Sequence, residues 1–188
     1  MPWIIVVAGY LIGSIPTAYI AGHIAAGGDI RRVGDENVGA ANAFRQMSRK
    51  AGIIVGLIDA GKGALVVFIA QAVNTSQLVV LLTGLATVIG HNWPVFLSFR
   101  GGRGVSTTIG ILFMLVTVPM AILTLPTILI LILRKNVTPA MAFLFVLLPL
   151  VDWWLGVPVP LILYGLALAI LVGITTFLRN RPRAIRQV

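Results

Sequence analysis

Long apolar stretches separated by short polar segments are the main feature of this chain. The stretches lie at about 3–26, 51–73, 77–92, 105–133, 137–151 and 154–178. The first, second and last exceed the roughly 20 residues that a helix needs to cross a bilayer. The others are shorter than this, except for the fourth, which is too long for one ordinary span. The pattern predicts an all-α membrane bundle in which several helices are short or broken.

The stretch at 105–133 has to be interpreted together with the basic residues around it. As a single span it would place Arg134, Lys135 and the basic tail opposite the first loop, against the positive-inside rule. A turn near Val118 and Pro119 puts every basic loop on one side. We therefore predict seven spans, with the N terminus outside and the C terminus in the cytoplasm. The cytoplasmic basic residues are then Arg31, Arg32, Arg45, Arg49, Lys50, Arg100, Arg103, Arg134, Lys135, Arg179, Arg181, Arg183 and Arg186.

Composition agrees with a membrane protein and excludes several other classes. The chain has 188 residues, of which 59% are hydrophobic and 10% charged, and its mean hydropathy is +1.03. The net charge of +9 does not indicate nucleic acid binding, because the basic residues flank apolar stretches, where they meet headgroups and water. The lack of cysteine excludes disulfides, Cys-ligated metals and a thiol acyl-enzyme. We expect one transmembrane domain over residues 1–188, monomeric, without metal or cofactor.

Three polar residues stand inside or at the end of apolar stretches. Asp59 and Lys62 are three residues apart and share a helix face, so one interpretation is a mutually neutralised structural pair. In the other, Lys62 also serves an anionic ligand, because its half of the span opens toward the basic loops. His91 ends the third stretch, where a histidine is either a hydrogen-bonded anchor or a catalytic group.

Two glycine-containing polar segments lie on the predicted cytoplasmic side. GGRGVST at 101–107 directly precedes an apolar helix, and glycines followed by the N–H groups of a helix start favour an anion such as phosphate. IRRVGDENVGAANAFR at 30–45 adds glycines, asparagines and Arg45 facing the same water. Either segment alone is equally compatible with a connector between spans. Together, beside a basic span, they indicate a phosphate site.

Five blocks of sequence carry a resemblance that covers most of the chain. They are YLIGSIPTAY (10–19), VGDENVGAANAFR (33–45), DAGKG (59–63), GHNWPVF (90–96) and RGGRGVST (100–107). In order, spacing and charge placement they resemble the bacterial acyl-phosphate:glycerol-3-phosphate acyltransferase family. The resemblance implies transfer of a fatty acyl group from acyl phosphate to glycerol 3-phosphate. The product, lysophosphatidic acid, would form at the cytoplasmic leaflet of the inner membrane, as the first step of phospholipid synthesis.

The resemblance also implies which residues form the site. Arg45, Lys62 and Arg103 would stabilise charge on the attacked carbonyl and the departing phosphate, with His91 as a candidate helper. Attack would be direct, without a covalent acyl-enzyme, and the substrate phosphate is a candidate proton acceptor. The implied substrate-binding residues are Asn37, Gly39, Asn42, Gly101, Gly102, Gly104, Ser106, Thr107 and Thr138.

The chain departs from the family pattern in its loops and its tail. Asp35 and Glu36 replace a Ser-Gly pair, and two carboxylates beside a phosphate site would repel the ligand unless an arginine neutralises them. Arg103 replaces a lysine, and the tail at 178–186 lacks the family's His, Glu and Asn pattern. A diverged homologue that binds lipid phosphate without turnover is therefore one alternative. A small transporter is another, although Asp59 is the only carboxylate inside a predicted span.

Overall fold

The computed structural model describes residues 2–73 and 75–180, and the tail residues Arg181, Arg183 and Arg186 lie outside this range. Every regular element in the described part is helical, which confirms the all-α prediction. Two short 3-10 turns, Ile30–Arg32 and Val95–Leu97, lie between the longer helices. The α-helices are α1 (Trp3–Gly13), α2 (Thr17–Ala26), α3 (Ala40–Gln46), α4 (Arg49–Ala72), α5 (Gln77–Asn92), α6 (Val105–Leu115), α7 (Thr117–Arg134), α8 (Val137–Trp154) and α9 (Val159–Asn180).

Six helical segments of the described residues are long and apolar enough to cross a membrane. The first combines α1 and α2, and the others are α4, α5, α7, α8 and α9. This confirms a multi-pass integral membrane protein. Helix α6 has 11 residues, so at about 1.5 Å per residue it rises only roughly 16 Å, about half of the hydrocarbon core. The prediction of short helices is therefore met by α6, whereas the predicted count of seven spans is not confirmed.

The long apolar stretch at 105–133 does turn, as the charge distribution predicted. The turn lies at Val116, between α6 and α7, slightly before the predicted position at Val118 and Pro119. Pro119 occupies the first turn of α7, where its missing N–H would have no helical partner in any case. The proline therefore starts the second helix and does not form the turn.

The first apolar stretch is interrupted, which the hydropathy pattern did not predict. Helix α1 ends at Gly13 and α2 starts at Thr17, with Pro16 between them. Proline has no N–H and disfavours a helical conformation for the residue before it. The break leaves the carbonyl of Ile15 outside the helical hydrogen-bond ladder, and the Lys62 Nζ donates to this carbonyl at 3.1 Å.

Small residues allow the helices of the bundle to approach closely. A Cβ on Gly63 would collide with the backbone of Thr107, so α4 packs directly on the start of α6. A Cβ on Gly52 would likewise collide with Phe44 of α3, whereas Gly61 faces open space. Two of the glycines in this span thus serve the close contacts that the sequence indicated. These contacts fix the polar segments on either side of α4 relative to each other.

Two apolar clusters support the polar end of the bundle. The larger one joins α4 to α9 and includes Val67, Val88, Ile111, Leu112, Met120, Leu144 and Leu168. The smaller one lies directly beneath residues 30–47 and consists of Ala18, Ile30, Val38, Ala43, Val55 and Leu97. Both ends of the 30–47 segment are anchored in this smaller cluster. The backbone that carries the polar side chains of the segment is therefore held in place.

Candidate functional site

The segment from Asp29 to Ser48, called here the first loop, is organised by one buried asparagine. Asn42 Nδ2 lies within hydrogen-bonding distance of three backbone carbonyls, those of Ile30 (3.3 Å), Val33 (3.1 Å) and Asn37 (3.1 Å). Asn42 is fully buried. It therefore holds the loop in shape from within, although the sequence indicated it as a substrate ligand.

A tight turn brings Asp35 to the surface of the first loop. The N–H of Glu36 donates to the carbonyl of Val33 at 3.1 Å, which closes the turn around Gly34 and Asp35. Gly34 has φ 63°, and a Cβ there would collide with Asn42. Glycine is the residue that adopts this conformation at least cost, so the turn depends on it.

Asp35 joins the two arginines that the sequence indicated. Its Oδ2 accepts a hydrogen bond from Arg45 Nη2 at 2.9 Å and another from Arg103 Nη2 at 3.0 Å. Arg45 ends α3 and Arg103 precedes α6, so the two cationic groups come from different loops and converge on one oxygen atom. Arg45 and Arg103, to which the family resemblance gave a common role, therefore lie close together in the structure.

The segment from Arg100 to Gly104, called here the glycine-rich loop, is folded back on the end of α5. The N–H groups of Gly101 and Gly102 donate to the carbonyls of Asn92 and His91, at 3.2 and 3.0 Å. A Cβ on either glycine would collide with His91. These two amides are used within the protein, so the N–H groups available to an anion are those of the first turn of α6.

The C-terminal part of α9 holds this loop from the other side. Thr175 Oγ1 lies within hydrogen-bonding distance of the carbonyl of Arg103, at 3.1 Å, and of two carbonyls of its own helix. The guanidinium group of Arg179 donates to the carbonyls of Gly101 and Asn92. Sequence reasoning assigned Arg179 only to the basic tail, yet an arginine at the end of an apolar helix needs nearby acceptors when it is buried. The free-energy cost of burying the Arg179 charge was the signal from which its role in the loop could have been predicted.

A buried charge cluster lies within the bundle behind the two loops. Asp59 Oδ1 is 2.8 Å from Lys62 Nζ, accepts from Thr17 Oγ1 at 2.9 Å, and is 3.7 Å from His91 Nδ1. The Lys62 and Asp59 side chains are 7% and 2% exposed. Both interpretations of Lys62 predicted its pairing with Asp59. In the structure the Lys62 ammonium group contacts the Asp59 carboxylate and donates a hydrogen bond to the carbonyl of Ile15.

A narrow hollow with an accessible volume of about 10 Å³, enough for about one water molecule, lies between this cluster and the loops. Its walls are residues 13–17 at the break between α1 and α2, Val38 of the first loop, His91 and Pro94, and Gly101 and Gly102. Lys62 is not among these lining residues. Arg45 and Arg103 are not among the lining residues either.

The remaining predicted site residues fall into two groups. Asn37, Gly39 and Gly104 lie in the two loops, and Ser106 lies near Gly56 of α4 in the first turn of α6. The Thr107 hydroxyl is fully buried without a hydrogen-bond partner among the described residues. Thr138 is exposed in the first turn of α8, where its N–H donates to Asn136 Oδ1 at 3.0 Å, and α8 packs on α7 and α9. The structure does not bring Thr138 to the paired arginines.

A second carboxylate of the first loop has its own partner. Asp29 accepts two hydrogen bonds from the side chain of Arg31 at 3.0 and 2.7 Å. This contact lowers the pKa of Asp29 from 3.8 to about 2. The same guanidinium group stacks 4.8 Å from the ring centre of Tyr19. Arg31 therefore neutralises Asp29, whereas Asp35 is neutralised by Arg45 and Arg103.

The geometry of the site is suited to binding a phosphate group. Two guanidinium groups meet at one point, and the start of an apolar helix adjoins them. Guanidinium forks match the oxygen spacing of phosphate and carboxylate groups.

Comparison with known proteins gives consistent matches over the whole chain. The sequence model of a family described as "Glycerol-3-phosphate acyltransferase" matches residues 3–187. A "Glycerol-3-phosphate acyltransferase 4" of Dehalococcoides mccartyi is 42% identical over 185 residues, covering 98% of this chain and 100% of that protein. A "Glycerol-3-phosphate acyltransferase 2" of Moorella thermoacetica is 50% identical over 111 residues, covering 58% of this chain and 57% of that protein.

The fold is also similar to two solved structures of PlsY (YgiH), an integral membrane glycerol 3-phosphate acyltransferase. The glycerol 3-phosphate form has a TM-score of 0.81 and 30% identity, over 98% of this chain and 95% of that one. The lysophosphatidic acid form has a TM-score of 0.78 and 30% identity, over 96% and 88% of the two chains. Sequence and fold therefore agree on one family.

Proposed function

The chain belongs to the glycerol-3-phosphate acyltransferase family, and we propose that its acyl donor is an acyl phosphate. The fatty acyl group passes from this donor to the primary hydroxyl of glycerol 3-phosphate. The products are lysophosphatidic acid and inorganic phosphate. The donor follows from the sequence blocks that the chain has in common with acyl-phosphate-dependent enzymes, and both substrates bring a phosphate group to the same end of the bundle.

The convergence of Arg45 and Arg103 on one point is the observation that carries this proposal. Each arginine approaches Asp35 Oδ2 to about hydrogen-bonding distance, 2.9 and 3.0 Å. Their positions on separate loops allow them to bind a phosphoryl group between them. A charge-assisted hydrogen bond contributes about 1.5 to 3 kcal/mol when its partner is ionised. Two of these contacts suffice to orient a small, water-soluble phosphate ester.

The reaction needs alignment more than a protein nucleophile. The hydroxyl oxygen of glycerol 3-phosphate attacks the carbonyl carbon of the acyl phosphate, so a new C–O ester bond forms. The bond between the carbonyl carbon and the phosphate oxygen breaks, and phosphate leaves with the electron pair and takes up the hydroxyl proton. Acyl phosphate has a good leaving group, so positioning and electrostatic stabilisation account for most of the required catalysis.

The remaining predicted residues have supporting roles in this scheme. His91 lines the hollow and is proposed to assist as charge develops on the acyl carbonyl, whereas Lys62 is paired with Asp59 behind it and has a structural part in this scheme. Gly101, Gly102 and Gly104 allow the glycine-rich loop to pack closely on the end of α5, and Asn37, Gly39 and Asn42 shape the facing loop. Ser106 and Thr107 contribute N–H groups at the start of α6. A substrate-binding role for Thr138 rests on the family resemblance alone.

We place the site at the cytoplasmic leaflet of the inner membrane, with the N terminus outside. This placement rests on the positive-inside rule. When the spans are threaded through the membrane in order, the basic residues of the described part, apart from Lys62, lie in loops or at helix ends on one side. Glycerol 3-phosphate is a charged cytosolic molecule, whereas the acyl chain is apolar. A site at this interface allows each substrate to arrive from its own phase.

The direct test is product formation by the purified protein in lipid. With palmitoyl phosphate and glycerol 3-phosphate the protein should release lysophosphatidic acid and phosphate, and palmitoyl-CoA should not replace the acyl phosphate. Lack of product from folded protein, alongside an active control enzyme, would support the alternative of a homologue that binds lipid phosphate without turnover.

Variants of the two arginines test the site itself. Arg45→Ala and Arg103→Ala should each lower kcat/KM by more than about tenfold, because each removes a charge-assisted contact to phosphate. Arg49→Ala is the matched control, since Arg49 is an exposed arginine at the start of α4. It should stay within about twofold of wild type. Unchanged rates in both site variants would contradict the proposed binding mode.

A further inference from the structure

The Asp35 carboxylate bridges Arg45 and Arg103 in the way that an oxygen of a bound phosphate would. A single atom, Asp35 Oδ2, is 2.9 Å from Arg45 Nη2 and 3.0 Å from Arg103 Nη2. An anionic oxygen shared between two guanidinium groups is the arrangement in which these groups bind phosphate. The carboxylate therefore occupies the position between the arginines that a phosphoryl oxygen needs.

The backbone around Asp35 is held independently of this bridge. The turn that presents Asp35 is closed by the hydrogen bond from Glu36 to Val33, and Asn42 holds the carbonyl of Val33 from inside. The Asp35 side chain is 32% exposed and faces the solvent side of the site. It can leave the arginines by side-chain rotation alone, so the loop keeps its shape when the bridge opens.

A carboxylate and a phosphate cannot both remain at this point. Two anions in contact repel each other, and the repulsion is strong where water is partly excluded. Substrate binding then requires that Asp35 gives up its two hydrogen bonds. The cost of opening the bridge is subtracted from the binding free energy of any anion that enters.

We propose that Asp35 is an internal anion that occupies the phosphate-monoester subsite, and that substrate binds by exchange with it. This inference deepens the proposed function and rests on it. Asp35 then sets the affinity of the site, since it competes with the phosphate of glycerol 3-phosphate or of the acyl donor. The opposite role, in which Asp35 holds the arginines together for the substrate, predicts an opposite change on its removal.

The test uses Asp35→Asn and Asp35→Ser in the full-length protein in lipid. Asparagine keeps the shape of the side chain, and serine removes most of it. For at least one of the two substrates KM should fall by roughly threefold to thirtyfold, the factor expected from two partly exposed ion pairs, while kcat stays within about twofold. The substrate whose KM falls identifies which phosphate exchanges with Asp35.

Asp29→Asn is the matched control. It removes the same charge from the same loop, but Asp29 is paired with Arg31 and not with the site arginines. Its KM values should stay within about twofold of wild type. An equal fall of KM in Asp29→Asn and Asp35→Asn would contradict exchange and indicate a general effect of loop charge.

Binding of inorganic phosphate, measured by calorimetry without acyl donor, separates the inference from the proposed function. Tighter phosphate binding by Asp35→Asn supports exchange even if no acyl transfer is detected. Normal turnover with unchanged or raised KM and unchanged phosphate binding in both Asp35 variants would overturn exchange and leave the acyltransferase function intact.

Discussion

Replacing Lys62 by methionine should destabilise the fold because it leaves a carboxylate buried without its cationic partner. Lys62 Nζ lies 2.8 Å from Asp59 Oδ1, and the two side chains are only 7% and 2% exposed. In Lys62→Met the Asp59 carboxylate keeps only the hydroxyl of Thr17 as a donor, at 2.9 Å. The long, flexible methionine side chain fills a similar volume, so the effect reports mainly on charge.

The expected magnitude follows from this burial. Removal of one member of a buried ion pair typically costs about 3 to 5 kcal/mol, because the remaining charge is uncompensated. Asp59→Asn should cost a similar amount, since it leaves Lys62 alone. The double variant Asp59→Asn/Lys62→Met removes both charges. It should cost only about 1 to 2 kcal/mol, mainly because the carbonyl of Ile15 loses the donor it has in Lys62.

The assay is reversible unfolding in mixed micelles, followed by tryptophan fluorescence. Lys50→Met is the matched control, because Lys50 is exposed in the first turn of α4 and its loss should change the free energy of unfolding by less than about 0.5 kcal/mol. Two results would refute the reasoning. One is a loss below about 1 kcal/mol in Lys62→Met, and the other is a double variant as unstable as the single ones.

Two further predictions concern the loops. Arg179→Met should lower kcat/KM by more than about tenfold and accelerate amide exchange at Gly101 and Gly102, because the loop loses its anchor from α9; normal exchange there would contradict an anchoring role. In the Asp29–Arg31 pair, the pKa of Asp29 is lowered to about 2. The contact therefore stabilises the fold fully above about pH 4, the ordinary pKa of the carboxyl group in the unfolded chain. This contribution is lost as the pH falls through about 2. A carbon NMR titration should place the Asp29 pKa near 2 in the wild type and near its ordinary value in Arg31→Ala.

Much of the fold could be predicted because it depends on how apolar and charged residues are distributed along the chain. The turn inside the stretch at 105–133 followed from the basic residues on either side, and the structure breaks the helix at Val116. The pairing of Asp59 with Lys62 followed from their i,i+3 spacing. The break at Pro16 was not predicted, because hydropathy measures only how apolar a stretch is. It takes no account of the backbone N–H that proline lacks.

The candidate site could be predicted only in part. The sequence indicated that Arg45 and Arg103 face one cleft, since both lie in polar segments at the same end of the bundle. It also indicated that an arginine would have to neutralise Asp35. It could not indicate that Asp35 joins both arginines, or that Asn42 points inward to three carbonyls. These contacts depend on the turn at Gly34 and on the positions of three separate elements.

The sequence by itself determined that this chain is a helical membrane protein, which family it resembles, and which loops carry most of its basic residues. Those properties follow from local apolar content, from the distribution of charge along the chain and from ordered motifs. Only the tertiary structure decided that Arg179 holds the glycine-rich loop and that Asp35 lies between the two arginines. The contact of Asp35 with Arg103 joins residues 68 positions apart, and that of Arg179 with Gly101 joins residues 78 positions apart. Such hydrogen bonds depend on distances that only the packing of the helices fixes.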